Sequence, residues 1–430
     1  MNKKGLLIIL CLCLFNFSCR KIEDKNKIVV WHWMSDKEEV FEQLAKKYYE
    51  QTGTEVVFQL FAPSEAYSQK VKTAAQTKSL PDIFGILGDK RDFASFVKSG
   101  YVLNLTEYMN ANNKEWLKRF FPQAIAVNQF LKDNEFNAPE GIYGVPIDVT
   151  TAQILYNKDL LSRVGINEKN LPKTFDEFIE LGRKLKEKGI PGFVSGWGEI
   201  WLISTFAQSY AFNIMGFEKV MDTFKGKVSY TDPDWIKVFK IFEEMKKVDL
   251  FVPGTITMIN KVAEQIFATN KAAFAFNGSW CINVYRQFNP NLNYGVLPMP
   301  KVNFKNSIPV WGGPGNSFFI NANSKNKDKC VDFLKWLTEE EQQKFLAENT
   351  GNIPANKSCL KYIPAISKSF VKDLLNNNTF HPNTLPVSEL PEVYLAFGKA
   401  IQSIITGEKT AEQAAQEVQE AKKREMNRLK

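Results

Sequence analysis

From residue 28 onward the chain alternates between short apolar runs of β type and stretches with helical periodicity. The apolar runs predict strands over residues 28–31, 55–60 and 82–87. The stretches after the second and third of these runs predict helices over 64–77 and 90–98. Such alternation favours an α/β fold, with parallel strands joined by right-handed crossovers.

In parallel sheets of this kind, ligands bind at the C-terminal ends of the strands. The loops at 32–36 and 86–90 follow the first and third predicted strands. We therefore expect both loops to face a cleft.

Capping boxes predict where three helices begin. The motifs are Ser35-Asp36-Lys37-Glu38, Thr174-Phe175-Asp176-Glu177 and Thr410-Ala411-Glu412-Gln413. The last of them opens a final helix with an apolar face, which we expect to pack as a latch on the surface.

A chain of 430 residues is too long for one hydrophobic core. No linker separates it into two consecutive halves. Two lobes between which the chain crosses more than once are therefore the predicted organisation.

The N-terminus has the pattern of an export signal. Met1-Asn2-Lys3-Lys4 is basic, and residues 5–17 are apolar but shorter than the roughly 20 residues that span a membrane. The motif Asn16-Phe17-Ser18-Cys19 resembles the box at which bacterial lipoprotein signals are cut, although Asn16 stands where leucine is usual. We expect a signal peptide over 1–18, a lipidated Cys19 and a flexible tether over 19–27, so that the protein is anchored to a membrane without spanning it. The alternative is an ordinary signal peptide with release into solution.

Composition argues against several other classes. The formal charge of +8 is spread along the chain without a basic block, so a nucleic-acid partner is not expected. Cys281, Cys330 and Cys359 lack the spacing of a zinc site or a disulfide framework, and whether they pair is left open. No cofactor and no metal are predicted.

A series of short motifs, in order, resembles the family 1 extracellular solute-binding proteins, the carbohydrate-capturing subunits of bacterial ATP-binding-cassette importers. The motifs are Ile28-Val29-Val30-Trp31-His32-Trp33, Pro81-Asp82-Ile83, Gly144-Val145-Pro146-Ile147-Asp148, Leu155-Tyr156-Asn157-Lys158-Asp159-Leu160, Pro172-Lys173-Thr174-Phe175-Asp176-Glu177, Ala272-Ala273-Phe274, Gly278-Ser279-Trp280, Trp311-Gly312-Gly313, Asn323-Ser324-Lys325-Asn326-Lys327 and Gly351-Asn352-Ile353-Pro354-Ala355. Each motif alone is weak, and their order after a lipoprotein signal makes the resemblance specific.

The resemblance implies a two-lobe fold like that of periplasmic binding proteins, with three crossings between the lobes and a hinged cleft. Lobe one would comprise 28–148 plus 308–356, and lobe two 149–307 plus 357–430. It also implies a monomer outside the cytoplasmic membrane, in a periplasm or at the cell surface, that delivers its ligand to permease subunits.

A sugar site needs aromatic faces for C–H groups and planar polar side chains for hydroxyls. By position after the predicted strands, the candidates are Trp33, Ser35, Asp36 and Asp89. The resemblance adds Asp148 or Thr150, Glu199, Trp201, Trp280, Trp311 with Gly312, and Tyr394. Five aromatic side chains would thus converge, and Gly278 is expected to let the backbone approach the ligand.

The predicted function is capture of a sugar or short oligosaccharide, with a polyol or glycerol-phosphate type ligand left open. A sugar sensor docking on a membrane receptor kinase is the alternative. Asp36, Asp89 or Glu199 could be imagined as the facing carboxylates of a glycosidase, but no spacing singles out a pair, and an enzyme is not predicted.

Overall fold

The computed structural model describes residues 26–429. The predicted signal peptide, the lipidation box with Cys19 and most of the tether lie outside the described residues. None of the helices in the described part combines the length and apolar character needed to cross a membrane.

Strands within residues 26–429 are mostly short, with two long exceptions that run through the middle of the molecule. They are β1 (Lys27–His32), β2 (Glu55–Leu60), β3 (Ile83–Phe84), β4 (Gln129–Phe130), β5 (Gly141–Ile142), β6 (Gly144–Asn157), β7 (Phe193–Val194), β8 (Phe274–Gly278), β9 (Tyr294–Leu297), β10 (Val310–Ile320), β11 (Ile353–Pro354) and β12 (Thr379–Phe380).

The α-helices of the same range fill the segments between the strands and form the C-terminus. They are α1 (Glu38–Thr52), α2 (Ser64–Gln76), α3 (Lys90–Lys98), α4 (Thr106–Lys118), α5 (Pro122–Val127), α6 (Lys158–Ser162), α7 (Phe175–Glu187), α8 (Ile200–Met215), α9 (Phe217–Phe224), α10 (Pro233–Lys247), α11 (Asn260–Ala268), α12 (Cys281–Phe288), α13 (Lys327–Leu337), α14 (Glu340–Thr350), α15 (Ala365–Leu375), α16 (Pro391–Thr406) and α17 (Ala411–Arg428).

The predicted α/β fold is confirmed. The main sheet has the order β2-β1-β3-β10-β6-β8-β7, and β1 is parallel to both β2 and β3, as the alternation of strands and helices predicts. The long strands β6 and β10 are antiparallel to each other and occupy its centre. β6 pairs with β10 over its first half and with β8 and β9 over its second half, so one strand joins both ends of the molecule.

The two largest of the four apolar clusters in the described residues form two cores, one on either side of these central strands. The first takes its apolar side chains mainly from β1, α1, the start of β6 and α13. The second takes them mainly from α7, α8, α10, α16 and α17. A smaller cluster around Val149, Leu155, Ile353 and Phe370 lies where the chain passes from one core to the other. Two cores instead of one match the expectation from chain length.

Two of the three predicted capping boxes are confirmed and one is wrong. Thr174 and Thr410 accept from the backbone N–H groups of Glu177 and Gln413, whose side chains bond back. By contrast, α1 begins at Glu38 without any capping side chain. Ser35 does not cap it, since the residue that precedes the helix is Lys37, whose side chain is in an ion pair with Asp36.

Cys281, Cys330 and Cys359 are buried free thiols. The question left open by their spacing is thereby answered for the described residues: none of the three forms a disulfide.

Candidate functional site

Three tryptophans from distant parts of the chain lie together. Trp201 on α8, Trp280 just before α12 and Trp311 on β10 have ring centroids 5.9, 5.9 and 6.4 Å apart. Each of the three residues is only partly buried. The structure therefore brings together three of the five aromatic residues predicted for the site.

The other two predicted aromatics lie apart from this cluster. Trp33, directly after β1, packs against Tyr67 with the ring centroids 5.1 Å apart and contacts Gly85, where a Cβ would come within 2.1 Å of the ring. Tyr394 lies on α16, and burial, with a smaller contribution from Asp89, raises its pKa to about 12. Convergence of all five rings into one contact cluster is not seen in the described residues.

Gly278 has a different role from the predicted one. A Cβ at this position would lie 1.9 Å from the Trp280 ring. The absence of a side chain at Gly278 therefore makes room for the Trp280 ring to pack against the backbone of β8. The sequence had predicted that a ligand would approach the backbone at this position. Glycine is needed here for space, since β8 continues through residue 278.

Glu199 is tied to the tryptophan cluster. Its Oε2 accepts a hydrogen bond of 2.8 Å from the Trp201 indole N–H, and its Oε1 accepts one of 2.7 Å from the backbone N–H of Asn260. A charged acceptor makes such bonds stronger than a neutral one. Glu199 thus fixes the orientation of Trp201 at the first turn of α8.

Asp36 and Asp148 share a buried cation. The Lys37 Nζ lies 2.8 Å from Asp36 Oδ2 and 3.1 Å from Asp148 Oδ2, and only 2% of its side chain is exposed. Burial by itself lowers the pKa of Lys37, but the two carboxylates outweigh it and raise that pKa above its ordinary value. Lys37 is therefore charged at neutral pH and joins the loop after β1 to the central strand β6.

Asparagines complete the surroundings of these carboxylates. The Asn316 amide donates to both oxygens of Asp148 at 2.9 Å, and the Asn352 amide donates to Asp36 at 3.3 Å. Thr150, the alternative to Asp148, is buried, and its hydroxyl bonds that of Ser279 at 2.8 Å. The two alternative site residues, Asp148 and Thr150, thus have different partners. Only Asp148 belongs to the charged group formed by Asp36, Lys37 and Asp148.

The remaining predicted residues occupy separate places. Asp89 is exposed and caps α3, because its carboxylate accepts from the backbone N–H groups of Arg91 and Asp92. Gly312 is buried on β10, where a Cβ would meet the methyl groups of Thr151 and Thr379 at 2.9 Å. Ser35 is exposed at the edge of a groove.

This groove has a volume of about 580 Å³ and adjoins the charged group. Ser35, Asp36 and α1 line one side, and Asn283, Arg286 and Gln287 of α12 line the other. The two sides touch where the Asn283 amide donates to the Asp36 carbonyl at 2.6 Å. Among residues 26–429, His, Cys, Asp and Glu side chains form no group of three suited to hold a metal ion.

Two charged residues next to the predicted site were missed in the sequence. Lys37 lies at the end of the loop between β1 and α1, next to the predicted site residue Asp36, and that position was the available signal. Glu264 lies on α11 between the buried residues Ala263 and Phe267, and its Oε1 accepts from the Trp280 indole N–H at 3.1 Å. Nothing local to α11 indicates this contact.

The sequence profile of the bacterial extracellular solute-binding proteins matches residues 34–344. The galactooligosaccharide-binding protein of Bacillus subtilis is 29% identical over 286 residues, which cover 66% of this chain and 65% of that protein's length. The melibiose/raffinose/stachyose-binding protein MelE of the same organism is 25% identical over 346 residues, covering 76% of this chain and 74% of that protein.

Among solved structures, that of a chitin oligosaccharide binding protein superposes with a TM-score of 0.76 at 20% identity. The superposition covers 94% of this chain and 100% of the other chain. Similarity at this level of identity concerns the fold, and it extends over both cores.

Proposed function

The chain belongs to the family of bacterial extracellular solute-binding proteins, and we propose that it captures a sugar or short oligosaccharide between two lobes for an ATP-binding-cassette importer. The relatives named for binding galacto-oligosaccharides and for binding melibiose, raffinose and stachyose support a ligand of this class.

The observation that carries this proposal is the contact among Trp201, Trp280 and Trp311. Sugar rings present C–H groups on their faces, which the negative faces of aromatic rings attract. Amides next to the cluster supply donors for sugar hydroxyls, and a carboxylate that already bonds an indole N–H keeps further acceptor positions. Glu199 and Glu264 each bond an indole N–H, so the ring planes are set before any ligand arrives.

We propose that lobe one comprises residues 28–148 plus 308–356, and lobe two residues 149–307 plus 357–430. The change of partners along β6, from β10 to β8 and β9, supports a crossing near Asp148. Hinge motion at the crossings would close the lobes, since only a closed form can satisfy polar groups from both sides at once.

We further propose that the mature chain is a monomer, anchored through lipid on Cys19 outside the cytoplasmic membrane, and that permease subunits read the closed form. Two pairs of acidic side chains lie near the candidate site, and the carboxylates of both pairs are bonded to other groups of the protein. This arrangement fits a role in binding without catalysis. Asp36 and Asp148 share Lys37, while Glu199 and Glu264 hold tryptophan side chains.

A thermal-shift panel tests the function. The purified protein would be heated with galacto-oligosaccharides, melibiose, raffinose, stachyose, chitin oligosaccharides, a polyol and glycerol phosphate. A ligand at a hundredfold excess over its dissociation constant stabilises the native state by about 2.7 kcal/mol, so at least one sugar should raise the melting temperature by several degrees.

Small-angle scattering with the same sugar should show compaction. If no sugar shifts the melting temperature, the sugar assignment fails. Binding without compaction contradicts the hinge mechanism alone. A hydrolysis assay on the sugar that binds should give no product.

A further inference from the structure

Trp280 is held from two sides by groups of its own lobe. Its ring lies over the backbone of Gly278, and its indole N–H donates to Glu264 Oε1 at 3.1 Å. Glu264 lies on α11 and is only 5% exposed, so this carboxylate is almost entirely enclosed by protein. A buried carboxylate needs donors to offset the loss of hydration.

These donors converge on one oxygen. Besides the indole, the side-chain amides of Asn260 and Asn277 donate to Glu264 Oε1 at 2.9 and 3.0 Å. Asn260 also donates its backbone N–H to Glu199, which holds Trp201. The two tryptophans are thus linked through one asparagine and two carboxylates.

Building on the proposed function, we propose that Glu264 is a positioning residue of the sugar site, which fixes the ring plane of Trp280 through the indole N–H. Glu264 acts through Trp280 in this role. The same bond would align Trp280 with Trp201, because Asn260 couples their two acceptors.

The charge of Glu264 determines how firmly the indole is held. Burial raises the pKa of this carboxyl to about 7, against the bonds from Asn277 and Trp280, which lower it. The charged groups that face it are Asp36 from the loop after β1 and Glu199 at the start of α8, and both contribute to this raised pKa. Cys281 and Tyr285 on α12 also face it, and burial raises their pKa values so far that they stay neutral.

The direction in which pH changes the affinity for sugar follows from the strength of Glu264 as a hydrogen-bond acceptor. Above pH 7 the ionised carboxylate accepts a charge-assisted bond from the indole, about twice as strong as a neutral one. Below pH 7 a proton adds to the carboxyl, and Oε1 becomes a weaker acceptor. Trp280 is then held less firmly, so the affinity for sugar should fall as the pH decreases through 7.

The first measurement needs no sugar. Tryptophan emission of the wild-type protein, titrated from about pH 5.5 to 8.5, should show a transition near pH 7. Trp280→Phe removes the reporter and Glu264→Gln removes the titrating group while keeping its shape, so both should abolish the transition. Lys90, whose pKa burial lowers to about 7, is retained in both variants, but its ammonium lies over Phe93 and Phe130, so its titration should give no tryptophan signal.

The second measurement is calorimetric binding of raffinose, or of the panel sugar that gives the largest thermal shift. Wild-type affinity should be about fivefold weaker at pH 6 than at pH 8, the difference expected between a neutral and a charged acceptor. Glu264→Gln should bind with the weaker affinity at both pH values.

A transition that persists in Trp280→Phe overturns the inference even if Glu264→Gln fails to fold. Sugar binding that is independent of pH in the wild type, or equally dependent on pH in Glu264→Gln, also overturns it and leaves the proposed function intact. Failure of every sugar to bind the wild type overturns both.

Discussion

Lys37 Nζ lies 3.1 Å from Asp148 Oδ2, and both side chains are more than nine-tenths buried. The pair joins the end of the loop between β1 and α1 to the strand at the centre of the molecule. Asp36 gives the same ammonium a second acceptor at 2.8 Å. This ion pair therefore ties the candidate cleft to the place where the chain passes between its two cores.

Removing the cation should strongly destabilise the fold. Lys37→Met leaves two carboxylates close together without compensation, and breaking a buried ion pair in this way costs about 3–5 kcal/mol. Urea unfolding without ligand measures the change. Lys47→Met is the matched control, because the Lys47–Glu341 pair is partly exposed and such pairs contribute less than about 1 kcal/mol. Equal effects of the two variants would contradict a structural role for Lys37.

Truncating the aromatic cluster should weaken sugar binding while the fold survives. Trp280→Ala removes one partly exposed ring and should cost about 1–3 kcal/mol of binding free energy, as expected for a buried aromatic anchor. Calorimetry with the sugar found in the thermal-shift panel measures the loss. Trp336→Ala, on α13 with its indole bonded to Gln51, removes a similar ring from lobe one and should bind normally. Unfolding of the Trp280 variant would instead make that residue part of the core.

Acid should destabilise the protein in part through His32. This side chain is 1% exposed between Phe41 and Phe58, and burial, followed by the charge of Lys37, lowers its pKa from 6.5 to about 4. The unfolded chain then binds a proton that the folded chain excludes. Stability from the neutral imidazole is thus present above pH 6.5 and is lost as the pH falls towards 4, by about 3 kcal/mol.

His32→Phe keeps an aromatic ring between the same neighbours and has no proton to bind. Its free energy of unfolding should therefore fall by about 3 kcal/mol less than that of the wild type between pH 7 and pH 4. The carboxylates are common to both proteins, so their contribution cancels in the comparison. Identical acid dependence of the two proteins would show that His32 is charged in the fold.

Lipidation should depend on Cys19 alone. In cells given a labelled fatty acid, Cys19→Ala should lose the label because the thiol that carries the acyl chain is gone. Cys11→Ala and Cys13→Ala should keep it, since both lie within the predicted signal. Label that persists in the Cys19 variant would rule out this anchor.

Local patterns in the sequence determined the elements of the fold. The strand at Glu55–Leu60 and the helix at Lys90–Lys98 have the predicted bounds, and the capping boxes at Thr174 and Thr410 are formed. These features depend on side-chain periodicity and on contacts within one helical turn, which a sequence displays directly. Chain length likewise indicated more than one core.

Only the tertiary structure decided which polar groups are partners. The Lys37–Asp148 and Glu264–Trp280 contacts join residues 111 and 16 positions apart, and they exist because separate elements pack together. The capping box indicated at Ser35 is not formed: α1 begins at Glu38, and the side chain of the preceding Lys37 is bound to Asp36 and Asp148, contacts that the local sequence does not show. Gly278 is a second example of what packing decides. The sequence indicated that some group comes close to the backbone there, and the packing of the fold determined that this group is the ring of Trp280.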